Sequence, residues 1–224
     1  KIDLHLHSYY SSDGVHSASE LLDYFNEGDI AGIADHETIG GWKAFKDEAL
    51  KRKIIPVFGV EWFSLECHIL SYFIKSVPQK FLKFIEERRA QEKKCMIAVY
   101  EKIKKTHNRI PSYEDIIQSQ NHPENILGLP ALAQAISKIE GISKMVAEDE
   151  VRNEKRKIPS EHRPMPFLPE QIISLINDWG ALPALAHPFR NFGGKLGRQS
   201  KEEVEDKVHS LVQQGLKGLE IYSG

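Results

Sequence analysis

Residues 2–13 read IDLHLHSYYSSD. Ile2, Leu4 and Leu6 alternate with Asp3, His5 and His7; then the apolar character stops and Ser8, Ser11, Ser12 and Asp13 follow. Short strict alternation of this kind predicts a half-buried strand. Side chains two residues apart on a strand share a face, so His5 and His7 present two imidazoles side by side. Asp13 waits in the loop just after them. Alone, a His-x-His pair is also compatible with an ordinary polar strand face, and the rest of the chain has to decide.

Ser17 to Glu20 (SASE) has the form of a capping box and opens a helix over 19–27 that Gly28 closes. IAGIAD (30–35) is a compact apolar run suited to a buried strand. A helix from about Gly41 to Lys51 follows, then strand-like KIIPVFGVEWF (53–63) and HILSYFI (68–74). Strand–helix–strand–helix–strand predicts parallel pairing and an α/β class. From Pro78 to about Ile158 the chain becomes highly charged and helical in pattern, which predicts an all-helical insertion. FLPEQIISLINDWGA then forms a helix closing at Gly180. LPALAHP (182–188) restores the strand pattern, a helix follows at about 200–214, and GLKGLEIY (215–222) is the next strand. The expected division is a first barrel part at 1–76, a helical insertion at 77–165 and a second barrel part at 166–224.

The polar residues that interrupt the apolar strands fall at matching places. His5 and His7 end the first strand, Asp35 and His36 the second, Glu61 the third. His68 begins the fourth, and His187 ends the strand in LPALAHP. In parallel α/β sheets and barrels, ligands bind at the carboxyl ends of the strands, so these residues can converge on one site. Imidazole and carboxylate ligands without thiolates suit Zn²⁺, Mn²⁺ and Fe²⁺ and argue against a structural zinc finger. A carboxylate such as Glu61 can bridge two ions, as in hydrolytic sites that hold cations about 3.5–4 Å apart. Each residue also has a plain structural reading: a capping turn at His36, a surface strand end at Glu61, a satisfied buried hydrogen bond at His187. Their joint placement favours a site. His107, His122, His162 and His209 lack it and read as solvated; His16 stays unassigned.

The chain has 224 residues, 41% of them hydrophobic, enough for one sizeable core with an appended lobe. A net charge of −2 gives no basic footprint for duplex DNA. No apolar run approaches the eighteen or so residues of a membrane span, and no charged-then-apolar leader is seen. Cys67 and Cys95 form neither a metal pair nor a disulfide framework. A cytoplasmic protein with reduced thiols is therefore expected, with neither membrane nor duplex DNA as partner.

DLHLHS (3–8), DG (13–14), ADHET (34–38), GVE (59–61), HIL (68–70) and AHP (186–188), in this order, resemble the PHP family (polymerase and histidinol phosphatase) of metal-dependent phosphoesterases. The long insertion after the fourth strand resembles the branch that hydrolyses nucleoside 3′,5′-bisphosphates and trims short RNA from the 5′ end. The resemblance implies a distorted seven-stranded, TIM-like β/α barrel with two or three divalent ions, manganese, zinc or iron. It implies His5, His7 and Glu61 on one ion, Glu61, His68 and His187 on a second, and Asp13 with His36 on a third. A metal-bound hydroxide, with no protein nucleophile, would attack phosphorus. Arg190, three residues past His187, is a candidate phosphate clamp. Arg88 and Arg89 are further candidates for holding substrate, or else belong to a solvated charged helix face. The implied partners are a phosphorylated nucleotide or short RNA.

Two departures stand out. The branch carries Arg-x-His at the start of an insertion helix; here GLPALAQA (128–135) places Leu129 and Ala131 there. Losing such an Arg removes a charge-assisted phosphate contact. The family's last strand, ending in Asp-x-His, is expected beyond Gly224. Three functions follow: a phosphoesterase, a degenerate member that binds metal or nucleotide without turnover, and a metal-dependent amidohydrolase, for which no bridging lysine stands at a strand end.

Overall fold

The computed structural model describes residues 1–119, 127–188 and 200–221. The chain divides into two compact units, Lys1–Phe84 with Pro166–Gly224, and Ile85–Met165. The first boundary falls inside one continuous helix.

The first unit is built on β1 (Ile2–Leu6), α1 (Ala18–Leu22), β2 (Ile30–Ile33), α2 (Trp42–Lys51), β3 (Ile55–Phe63) and β4 (His68–Phe73). It is completed by the start of α3 (Gln79–Thr106), then α7 (Pro169–Asp178), β5 (Leu182–Leu185), α8 (Lys201–Gln213) and β6 (Gly218–Leu219). The Ser17 capping box forms: Ser17 Oγ accepts the Glu20 N–H, and the Glu20 carboxylate accepts the Ser17 N–H at 2.7 Å. The helix it opens is shorter than the sequence predicts and ends at Leu22.

The six strands lie in one sheet in chain order. β1, β2 and β3 are parallel, as are β5 and β6. The parallel pairing expected of the strand–helix–strand–helix–strand run holds for β1–β3, while β4 runs antiparallel to both β3 and β5. The reason is chain length. Only residues 64–67 join β3 to β4, and a parallel crossover needs roughly a dozen or more. A tight turn closes instead, with the Ser64 N–H donating to the Cys67 carbonyl at 3.0 Å.

The sheet curls strongly. The Tyr72 hydroxyl on β4 donates to the Leu4 carbonyl on β1 at 3.2 Å, across two intervening strands. Leu4, Val57, Leu70, Tyr72, Leu182 and Ala184 share one inner cluster. β1 and β6 are the two edges of the sheet, yet His5 Nδ1 lies 3.3 Å from Glu220 just past β6. This is a partial barrel of six described strands, where the resemblance implies seven. On the outer face Leu22, Phe25, Ile33, Phe45 and Ala49 pack between α1, β2 and α2. Trp62, fully buried, meets Phe81 edge to face and Trp179 at a tilt, and donates its Nε1–H to Ser71 at 2.9 Å. Because successive strand residues face opposite ways, seating Trp62 on one face puts Glu61 on the other.

The second unit comprises the rest of α3 with α4 (Tyr113–Ser119), α5 (Leu129–Glu140), α6 (Lys144–Arg156) and a 3₁₀ turn at Ser160–His162. Met96, Val99 and Ile103 of α3, Ile116 of α4, Leu132 and Ile136 of α5, and Val151 of α6 form its core. No described helix is long and apolar enough to cross a membrane. Cys67 and Cys95 are buried free thiols.

Candidate metal centre

Glu61 does not end β3 but stands two residues inside it. Its backbone extends the β2–β3 pairing past β2: the Glu61 N–H donates to the Asp35 carbonyl at 3.2 Å, and the Glu37 N–H to the Glu61 carbonyl at 3.0 Å. His36 is thereby fixed beside Glu61. The reversed direction of β4 explains why His68 belongs here as well. In an antiparallel strand the first residue lies at the edge where the parallel strands end.

Five imidazoles surround the Glu61 carboxylate, which is 1% exposed. Oε2 lies 2.9 Å from His5 Nε2, 3.1 Å from His7 Nε2 and 3.4 Å from His36 Nε2. Oε1 lies 2.9 Å from His68 Nδ1 and 3.0 Å from His187 Nε2. Asp13, half exposed, reaches His36 Nε2 with Oδ2 at 3.2 Å and His7 Nδ1 with Oδ1 at 3.3 Å. Three groups bring their ligand atoms within 4.8 Å of one another: His5–His7–Glu61, His7–Asp13–His36, and His36–Glu61–His68. His7, His36 and Glu61 each serve two of them. His187 shares an oxygen with His68 but completes none of the three.

Two loop serines, to which the sequence analysis gives no role, order this arrangement. Ser8 donates its N–H and Oγ–H to Asp35 at 2.6 and 2.8 Å, and both residues are buried. A side chain at Gly41 would come within 2.7 Å of both groups, and one at Gly14 would collide with the Ser8 carbonyl. Only glycine lets the loop close. Ser11 is 3% exposed and meets three expected ligands. It donates to Asp13 Oδ1 at 2.7 Å, accepts the His36 backbone N–H at 3.1 Å, and contacts His7 Nδ1 at 3.0 Å. A hydroxyl has one proton and two lone pairs. With the proton on Asp13, His7 must be the donor at Nδ1, which leaves Nε2 of neutral His7 bare towards Glu61.

The electrostatics describe a site that wants positive charge. Burial opposes ionisation of Glu61, but hydrogen bonds from His187, His5, His68 and His7 hold it well below the usual carboxylate range. Asp13 is likewise held low, its burial outweighed by His36 and His7. Burial disfavours the His5 imidazolium, yet Glu220 and Glu61 raise it to about 9. For His7, Asp13 and Glu61 overcome burial and raise it to about 10. Asp35 moves the other way, pushed up to about 6 by burial against its Ser8 hydrogen bonds. Protons on His5 and His7 offset the negative field, and a divalent cation can replace them through the same nitrogens. The donor set is entirely nitrogen and carboxylate oxygen, and the clusters fit divalent metal ions.

The remaining expectations fall elsewhere. Arg190 lies outside the described residues, as does His122. Arg88 Nη1 donates to the Met165 carbonyl at 3.1 Å within the helical unit. Leu129 and Ala131 pack against the helical core. His107 is not solvated: Nδ1 meets Glu140 at 3.1 Å and Nε2 meets Glu150 at 2.7 Å. Glu220 was missed. It is a polar residue closing the apolar strand in GLEIY, the very pattern that marked the others.

Residues 3–154 match the family model of the PHP domain. No curated protein sequence matches the chain. Among solved structures, a protein named as a metal-dependent phosphoesterase from Bifidobacterium adolescentis superposes with a TM-score of 0.70 at 19% identity. The match covers 99% of this chain and 77% of that one. An amidohydrolase from Chromobacterium violaceum gives 0.63 at 20% identity, over 97% and 75% of the two chains. Both likenesses concern the fold.

Proposed function

The chain belongs to the PHP domain family, and from that premise we propose that it is a metal-dependent phosphoesterase acting on a small nucleotide or on short 5′-phosphorylated RNA. The observation that carries this reading is the convergence of five imidazoles on the Glu61 carboxylate with Asp13 beside them. A phosphate ester carries negative charge on its oxygens from the start and keeps it as it reacts, and a cation-holding cluster answers that need. His5, His7 and Glu61 would hold one ion, Glu61 with His68 and His187 a second, and Asp13 with His36 a third. Manganese, zinc or iron bound there would lower the pKa of water towards neutrality and neutralise phosphate oxygens. The chain's own hydroxyls at this place, on Ser8 and Ser11, are 1% and 3% exposed and so lie out of a substrate's reach. The Ser11 proton is committed to Asp13 and the Ser8 proton to Asp35.

The test is phosphate release by the full-length, Mn²⁺-supplied protein over nucleoside 3′,5′-bisphosphates, other nucleotides and short 5′-phosphorylated RNA. Release that disappears in His5→Ala and Glu61→Ala supports the proposal. Metal bound without release from any substrate overturns it. Leu129 and Ala131, given over to packing where an Arg-x-His pair is expected, favour a second reading: metal and nucleotide binding without turnover. A parallel panel of amides, read by the amine they release, separates the amidohydrolase alternative.

A further inference from the structure

We infer that Glu220 is a positioning residue that orients two metal ligands from two different strands, and so couples the two sides of the site; this rests on reading the cluster as a metal centre. Its carboxylate lies 3.3 and 3.4 Å from His5 Nδ1. The same Oε2 accepts the His187 backbone N–H at 2.6 Å. Glu220 is thus one bracket for His5 on β1 and His187 after β5. Those two rings stack in parallel, 5.8 Å apart.

Each contact has a separate consequence. A carboxylate at Nδ1 keeps the proton there, so neutral His5 turns a bare Nε2 towards Glu61. Such a carboxylate–histidine pair fixes ring orientation and raises ligand basicity. The second contact holds strained backbone. His187 has φ 25°, in the left-handed region, and precedes Pro188, which narrows its choices further. Bonding its N–H anchors the peptide that carries the ring to Glu61 Oε1. Glu220 itself belongs to none of the three ligand groups among the described residues, and it approaches His5 from the far side of the ring. It acts through its neighbours.

The experiment titrates Zn²⁺ into the full chain, wild type against Glu220→Ala and Glu220→Gln. Ring ¹⁵N–¹H spectra of the zinc-loaded proteins are recorded alongside. Glu220→Ala weakens zinc binding about 10–100-fold with the number of ions unchanged. Its His5 Nδ1–H resonance moves while the Nε2–H resonance of His68, whose Nδ1 faces Glu61, stays, which a merely structural role would not produce. Glu220→Gln falls between, because one neutral amide oxygen replaces a charged acceptor. If circular dichroism shows Glu220→Ala unfolded, Glu220→Gln carries the test. Unchanged affinity with an unmoved His5 resonance overturns the role of Glu220 and leaves the metal centre standing. Loss of one ion with the others unaffected makes Glu220 a ligand and also overturns it. A wild-type chain that binds no zinc overturns both readings.

Discussion

Two histidine clusters in this molecule are opposites. In the barrel unit one carboxylate, Glu61, collects five imidazoles. In the helical unit one imidazole, His107, sits between two carboxylates, Glu140 and Glu150. The second arrangement is complete once His107 carries both its protons. Each nitrogen then donates to one oxygen, and the C-terminal ends of α3 and α5 are tied to the middle of α6. The first arrangement cannot complete itself in that way. Three imidazole nitrogens crowd Glu61 Oε2, and His5 Nε2 and His7 Nε2 stand 3.0 Å apart, so both cannot point protons at each other. Nitrogen in excess of carboxylate, converging on one point, is what separates a cation site from a structural clasp.

The largest expected effect comes from removing the hub. Among the described residues, Glu61→Ala withdraws the one carboxylate shared by two of the three ligand groups. Metal affinity falls by more than the roughly 100-fold that losing an outer partner costs. Metal analysis of the dialysed protein reads this directly, and wild-type metal content in Glu61→Ala breaks the distinction between the two clusters. Ser11→Ala comes next. It frees His7 to place its proton on Nε2 and unties Asp13 and the His36 backbone together. Calorimetry is expected to show about a 10-fold loss of affinity, with the ions no longer binding in concert; unchanged binding would make Ser11 a bystander.

These effects concern residues of unequal visibility. The strands fall where the short apolar runs place them, and His5, His7, His36, Glu61, His68 and His187 were legible because each stands at or near an end of such a run, a local signal; Asp13 came from the loop after the first of them. The direction of β4 was legible too, in the four residues 64–67, but the strand–helix rhythm before them suggested parallel pairing. Ser11 was not singled out because a loop serine is common and only its partners distinguish it; Glu220 carried the same local signal as the others and was passed over. The partners of His107 lie 33 and 43 residues away in sequence. A charged insertion hides such pairings, since every neighbour in it is a plausible solvated residue.

The smallest effect is the one that sharpens the contrast. His107→Ala breaks two charge-assisted hydrogen bonds, at a cost of about 1–3 kcal/mol to folding, and leaves metal content untouched. The pH dependence separates the clusters further. His5, His7 and His107 all have raised pKa values, His107 because Glu150 and Glu140 outweigh its burial. A raised folded-state value adds stability that is fully present below the unfolded value of about 6.5 and is lost as pH climbs through the folded value. Metal-free protein is therefore expected to lose stability from about pH 6.5 upwards, the barrel's share running out as His5 passes about 9 and His7 about 10. Bound metal should cancel the barrel's share alone, because it takes the place of those protons, and affinity should rise over the same window. Below the range in which the buried thiols of Cys67 and Cys95 titrate, what remains in the metal-loaded protein is the slope from His107, which His107→Ala removes. Thermal melts of both proteins, with and without Zn²⁺, from pH 6 to 10 measure it. A metal-loaded His107→Ala protein that keeps the full slope would place the titrating histidines somewhere other than these two clusters.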